Sequence, residues 1–189
     1  MALLVSSALY HFNMVILGVD PGSRRTGYGA ISVDGDRLRC IECGVISVAK
    51  RGKLPDLPER LLMIHNRLES LIQRISPEVV AVEEVFYAVN VKSALTLGHV
   101  RGVVLLAASQ LGVPVQEYAP LEVKKAVVGY GRADKKQVQA MVKVLLNMKF
   151  EPEPHDAADA LAIALCYSFN SSVPKHRQGR WRSYSPEAR

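Results

Sequence analysis

MVILGVDPGSRRTGYGAISVDGDRLRCIECGVISV, residues 14–48, decides the fold. It opens with MVILGVD (14–20), a short, apolar, β-branched run closed by Pro21-Gly22, which predicts a buried strand ending in a turn. TGYGAISV and RLRCIECGVISV follow, separated by the turn Asp34-Gly35-Asp36. Together the three runs predict an antiparallel meander. Cys40 and Cys43 lie in the third run. Residues three apart on a regular strand point to opposite faces, so the pair reads as core or edge thiols. A structural zinc site would need a second pair. With Cys166 the thiols number three, an odd set without a disulfide framework, as in a reducing cytoplasm.

Downstream the period changes. Leu57, Leu61, Ile64, Leu68, Leu71 and Ile75 step by three and four with charged residues between them, which predicts an amphipathic helix packed on the sheet. Pro77 stops it. VVAVEE (79–84) is apolar enough for a central parallel strand. A helix over about 91–111 ends at Gly112, a natural C-cap residue, and PVQEYAP (114–120) is a fifth strand. Helices follow over about 121–128, 134–148 and 156–169. The order βββαβαβααα predicts an α/β fold: a five-stranded mixed sheet, three antiparallel strands then parallel crossovers, flanked by helices. Residues 1–13 read as an N-terminal extension outside the fold, 14–170 as one domain and 171–189 as a basic flexible tail.

The chain of 189 residues is 49% hydrophobic and 22% charged, the balance of a globular domain with a real core. No window approaches the roughly eighteen consecutive apolar residues of a membrane span, and no basic residue precedes the apolar start as in a signal peptide. The net charge of +6 is uneven: residues 120–150 carry +5 and the tail +4, leaving about −3 elsewhere. Such patches suit a polyanion bound over one face, although lysines that merely solvate helices would give the same count.

Four acids stand where folding alone does not want them. Asp20 ends the first strand, Glu83 ends a strand of Val79, Val80, Ala81 and Val82, and Asp156 and Asp159 interrupt the helix HDAADALAIALCY. Residues three apart on a helix share a face, so Asp156 and Asp159 can converge. Like charges buried together repel, and a cation removes the penalty. Taken singly, Asp156 also fits an N-cap, Asp20 a turn and Glu83 a solvated strand end. Asp159 lies beyond the cap position, among alanines. Oxygen donors without a Cys or His cluster select Mg²⁺ or Mn²⁺ over zinc. Two such ions about 3.5–4 Å apart would clamp a scissile phosphate. His155 reads as a surface residue or as an accessory base or ligand.

The segments LGVDPGSRRTGYG (17–29), VAVEEVF (80–86), SALTLGHVRG (93–102), VKKAVVGYGRADKKQV (123–138) and HDAADALAIA (155–164) are together similar to the RuvC family of Holliday-junction resolvases. The resemblance implies an RNase H-like fold and a cytoplasmic, homodimeric endonuclease that needs Mg²⁺ or Mn²⁺. Such an enzyme makes paired symmetric nicks in four-way DNA junctions, leaving 5′-phosphate and 3′-hydroxyl ends. It places the catalytic, metal-holding acids at Asp20, Glu83, Asp156 and Asp159. The aromatic that acts at the junction centre falls on Phe86, and two DNA-facing lysines fall on Lys124 and Lys135. The family's association with the RuvA–RuvB branch-migration machinery is implied in the same way.

Three other readings compete. DPGSRRTGYG also resembles the phosphate loop of actin-like ATPases and sugar kinases, but those enclose a nucleotide between two lobes and this chain holds one copy. A junction protein that only binds DNA would be weakened by four anions facing it. Another RNase H-like nuclease, acting on RNA–DNA hybrids, shares the acids but not the pattern of Phe86, Lys124 and Lys135.

Overall fold

Strand β1 (Met14–Asp20) lies at the centre of the sheet because both of its faces are apolar: Ile16, Leu17 and Val19 are fully buried. It pairs antiparallel with β2 (Arg25–Asp34), which pairs antiparallel with β3 (Arg37–Ser47). On its other side β1 runs parallel to β4 (Val79–Glu83), and β4 parallel to β5 (Val115–Tyr118). The computed structural model describes residues 14–49, 53–84, 90–171 and 183–184. The mixed five-stranded sheet expected from the sequence is present. A two-residue strand β6 (Ser183–Tyr184), absent from the sequence reading, extends it along β5, giving the order β3-β2-β1-β4-β5-β6.

Helices cover both faces, as parallel crossovers require. Helix α1 (Leu57–Ile75) starts where the Asp56 carboxylate accepts from the Glu59 N–H at 3.1 Å, and stops where Ser76 turns left-handed ahead of Pro77. Helix α2 (Val91–Gln110) starts at Asn90, whose side chain accepts from the Lys92 and Ser93 N–H groups. It ends with Gly112 at φ +68°, the expected glycine stop. These two helices bury Ile64, Leu68, Val100 and Val104 against Leu17, Val19, Val80 and Val82.

The opposite face takes α3 (Pro120–Val128), α4 (Lys135–Leu145) and α5 (His155–Ser171), with Ile16, Ile31, Val79 and Ala81 beneath them. Helix α5 is buried nearly all round, which explains a sequence of Ala, Leu and Ile without a polar stripe. α4 ends three residues earlier than its apolar pattern, because Asn147 adopts φ +49° and breaks the helix.

One sequence expectation is overturned. The β2–β3 register slips between Ala30 and Ile31: Ile31 faces Cys40, Ala30 faces Glu42, and Ile41 is an extra, half-exposed residue. This β-bulge reverses the alternation along β3. Cys40 and Cys43 therefore share one face, both packed against the α5-side core, instead of pointing apart.

Candidate active site

Strand alternation aims the first two acids. In β1, Ile16 and Gly18 face α5 while Leu17 and Val19 face the other core, so Asp20 continues the α5-side row. In β4, Val79 and Ala81 occupy the same side, and so does Glu83. Val19 pairs with Val82 in parallel register, which sets Asp20 and Glu83 side by side at the carboxyl ends of adjacent strands. Ligand sites of open α/β sheets form at this edge.

Glycines bring the helix down onto them. A Cβ on Gly18 would stand 2.0 Å from the Ala160 carbonyl oxygen, and one on Gly27 only 1.9 Å from that of Asp156. A Cβ on Gly29 would stand 2.7 Å from the Leu161 side chain and 2.8 Å from the Leu161 backbone nitrogen. Gly27 is the β2 partner of Asp20, so the first turn of α5 rests directly beside that carboxylate. The backbone of α5 lies on a floor that no side chain could share. Asp156 stands inside this first turn, with the helix beginning at His155, and Asp159 follows three residues later on the same face.

The four acids feel one another. Burial, then the charges of Asp159 and Asp156, push Asp20 up to about 6 from its ordinary 3.8. Burial, then Asp20 and Asp159, push Glu83 up to about 7 from 4.5. Burial also raises Asp159, with Asp156 adding to it. Two basic side chains oppose this: Lys135 eases Asp20, Glu83 and Asp159, and Lys124 eases Glu83 and Asp159. Lys135 Nζ lies 3.8 Å from the Asp159 carboxylate. The two lysines singled out in the sequence thus border the acids, Lys135 from the start of α4 and Lys124 from α3. His155 is exposed at the head of α5, and its charge also eases Asp159. Phe86 lies outside the described residues.

Arg25 is a residue the sequence reading passed over. Its Nε donates to the Asp156 carboxylate at 2.9 Å, and both side chains are partly exposed. Its signal was its place within DPGSRRTGYG, two residues before Gly27. The loop carrying it is tied down by the Thr26 hydroxyl donating to the Gly22 carbonyl at 2.8 Å. From α1, Arg60 Nη1 donates to the Ser23 carbonyl at 3.0 Å.

Among the described residues, no three His, Cys, Asp or Glu side chains close round one ion position. Asp156 is turned to Arg25 and Asp159 to Lys135. The donor chemistry nevertheless fits a hard divalent cation. The donors are carboxylates, and burial with the charges of neighbouring acids raises both Asp20 and Glu83, penalties that a cation relieves.

Comparison with known proteins is consistent over most of the chain. Residues 16–167 match the family model for crossover junction endodeoxyribonuclease RuvC. The crossover junction endodeoxyribonuclease RuvC of Koribacter versatilis is 53% identical over 161 residues, covering 85% of this chain and 95% of that protein. The one from Ruminiclostridium cellulolyticum is 46% identical over 166 residues, covering 88% and 95%. Among solved structures, Thermus thermophilus RuvC in complex with a Holliday junction substrate superposes with a TM-score of 0.77 at 38% identity, covering 84% of this chain and 94% of that one.

Proposed function

The chain belongs to the RuvC family of crossover junction endodeoxyribonucleases, and from that premise we propose that Asp20, Glu83, Asp156 and Asp159 form the centre at which it cuts. The enzyme is a nuclease that resolves four-way DNA junctions. One observation supports the assignment of the acids: the strand ends and the glycine-seated helix bring Asp20, Glu83, Asp156 and Asp159 within electrostatic reach of one another, and burial with the neighbouring acids' charges raises Asp20 and Glu83.

Family nucleases of this kind are metal-dependent. The four carboxylates would hold Mg²⁺ or Mn²⁺, with two ions per site expected, and the bound metal would supply Lewis acidity for a hydrolysis leaving 5′-phosphate and 3′-hydroxyl ends. Asp20 and Glu83 would hold it from the strand ends, and Asp156 and Asp159 from α5. For Asp156 this requires release from Arg25, an exposed ion pair worth about 0–1 kcal/mol. Lys124 and Lys135 bind the phosphates flanking the cut, and Phe86 stacks at the junction centre.

Paired symmetric nicks need two sites, hence a homodimer. Helix α2 offers the surface. Val91, Leu95 and Leu106 are exposed and lie on one stripe with Gly98 and Gly102, where a Cβ would meet nothing within 4 Å. Helix α2 is long and apolar enough to cross a membrane, yet its other side packs Val100, Val104, Ala107 and Ala108 into the core. A second copy suits the remaining stripe, and the protein acts in the cytoplasm, handing on junctions moved by RuvA–RuvB.

The test is cleavage of a synthetic four-way junction, a linear duplex and an RNA–DNA hybrid, with and without metal. Paired nicks confined to the junction and abolished by chelator are expected, with Asp20→Asn binding the junction but not cutting it. Equal cleavage by Asp20→Asn and Asp156→Asn would end the assignment.

A further inference from the structure

The pair Cys40 and Cys43 has no part in the chemistry above, and the bulge gives it one of its own. Without the extra residue Ile41, the two thiols would lie on opposite faces of β3. With it, Cys40 faces Ile31 and Cys43 faces Gly29, two positions on the same face of β2. Gly29 has no side chain to separate them. The thiols hydrogen-bond to each other, and both are half-buried.

The bulge is held from its far side. Glu42 is turned to the opposite face, where it accepts from Arg74 at 2.6 and 2.9 Å and from the Tyr28 hydroxyl at 3.0 Å. β3 is also an edge strand, so the bulged backbone can tighten without breaking a second ladder. Solvent reaches Cys40 along a cleft of about 770 Å³ between the β2–β3 turn and the end of α4, lined also by Asp36, Arg37, Arg39 and Lys149. The third thiol, Cys166, is fully buried in α5.

We propose that Cys40 and Cys43 form a peroxide-reactive dithiol that closes reversibly into an intrachain disulfide across the β-bulge. Hydrogen bonding between the two thiols favours a thiolate within the pair. That thiolate attacks one oxygen of hydrogen peroxide, the O–O bond breaks and, with a proton, water leaves, giving a sulfenic acid. The sulfur of the second thiol then attacks the sulfenic sulfur, the S–O bond breaks, and a second water leaves with the second thiol's proton. Overall, two thiols are oxidised and one peroxide is reduced to two waters.

Closure draws Cys43 toward Cys40 beside Gly29, on which Leu161 of α5 rests. The disulfide thus forms one strand away from the seat of the helix that carries Asp156 and Asp159.

The full-length protein, treated with hydrogen peroxide and then alkylated in denaturant, tests this by mass spectrometry of tryptic peptides. Cleavage after Arg39 and Lys50 places both cysteines on one peptide, 40–50. The expected product is that peptide lighter by two hydrogens and lacking both alkyl groups, with reduction restoring both and Cys166 still alkylated. In each single variant, Cys40→Ser and Cys43→Ser, oxidation of the remaining thiol should stop at a sulfenic acid that dimedone traps. Circular dichroism checks that each serine variant is folded. A wild-type peptide that stays doubly alkylated, that carries sulfinic acid on a single cysteine, or that links two chains would overturn the proposal.

Discussion

Replacing Asp20 by Asn should make the metal-free protein more stable while abolishing cleavage. Asp20 shares the strand-end edge with Glu83, Asp156 and Asp159, and its carboxyl is pushed from 3.8 to about 6, chiefly by burial and then by the charges of Asp159 and Asp156. Between those two values the folded chain keeps a proton that the unfolded chain has lost. Stability therefore falls as pH rises through that window, and the full penalty stands above about pH 6. The shift corresponds to about 3 kcal/mol at most, and Asn, which still has to be desolvated, should recover about 1–3 kcal/mol of it. For a domain of this size that is a rise in melting temperature of roughly 2–10 °C. The assay is thermal unfolding followed by circular dichroism, in chelator, at pH 8 and pH 4. Asp20→Asn should melt higher than wild type at pH 8 and nearly level with it at pH 4. Adding Mg²⁺ at pH 8 should stabilise wild type more than the variant and narrow or reverse the gap. A variant that melts lower than wild type in chelator at pH 8, or differs from it by the same margin at both pH values, would show that the Asp20 charge carries no such penalty.

Other outcomes follow from the same geometry. Gly27→Ala puts a Cβ 1.9 Å from the Asp156 carbonyl oxygen, so α5 must lift. It should lose about 1–3 kcal/mol in denaturant melts and, because an ångström of misplacement costs about 100-fold, most of its cleavage rate. Unchanged cleavage would show that α5 does not need this seat. Leu95→Glu, on the exposed stripe of α2, should turn a dimer into a monomer by sedimentation and uncouple the paired nicks, leaving stability within about 0.5 kcal/mol. A dimer that persists would place the interface elsewhere. Lys124→Ala and Lys135→Ala should each weaken junction binding and make it less salt-dependent, the slope of log K against log salt falling by about 0.9. A slope that did not move would take that lysine off the phosphates.

The strands and helices were legible because the sequence changes period sharply: β-branched runs to Ile46, steps of three and four from Leu57, and glycines or prolines at nearly every boundary. The four acids stood out as a set, since singly Asp20 fits a turn, Glu83 a solvated strand end and Asp156 a cap, and only Asp159 resists a bland reading. What the sequence concealed depends on contacts between distant segments. Gly18, Gly27 and Gly29 read as ordinary strand residues, and only the descent of α5 onto them explains why all three lack side chains. Arg25 read as one cation among many until the first turn of α5 set Asp156 beside it. The bulge at Ile41 left no mark in composition, since Cys40, Ile41 and Cys43 suit either face. It is visible only in the register with β2, and it moved both thiols to one side. Phe86 lies outside the described residues, so its place rests on resemblance alone.

Anomalous X-ray scattering from crystals soaked in Mn²⁺ shows whether Asp20, Glu83, Asp156 and Asp159 together hold the metal at which DNA is cut. Anomalous peaks are expected between these four carboxylates, with Asp156 turned away from Arg25 and onto an ion, and they should be lost in Asp20→Asn crystals. Peaks at any other cluster, or peaks that persist in Asp20→Asn with all four carboxylate positions left uncoordinated, would contradict that metal site.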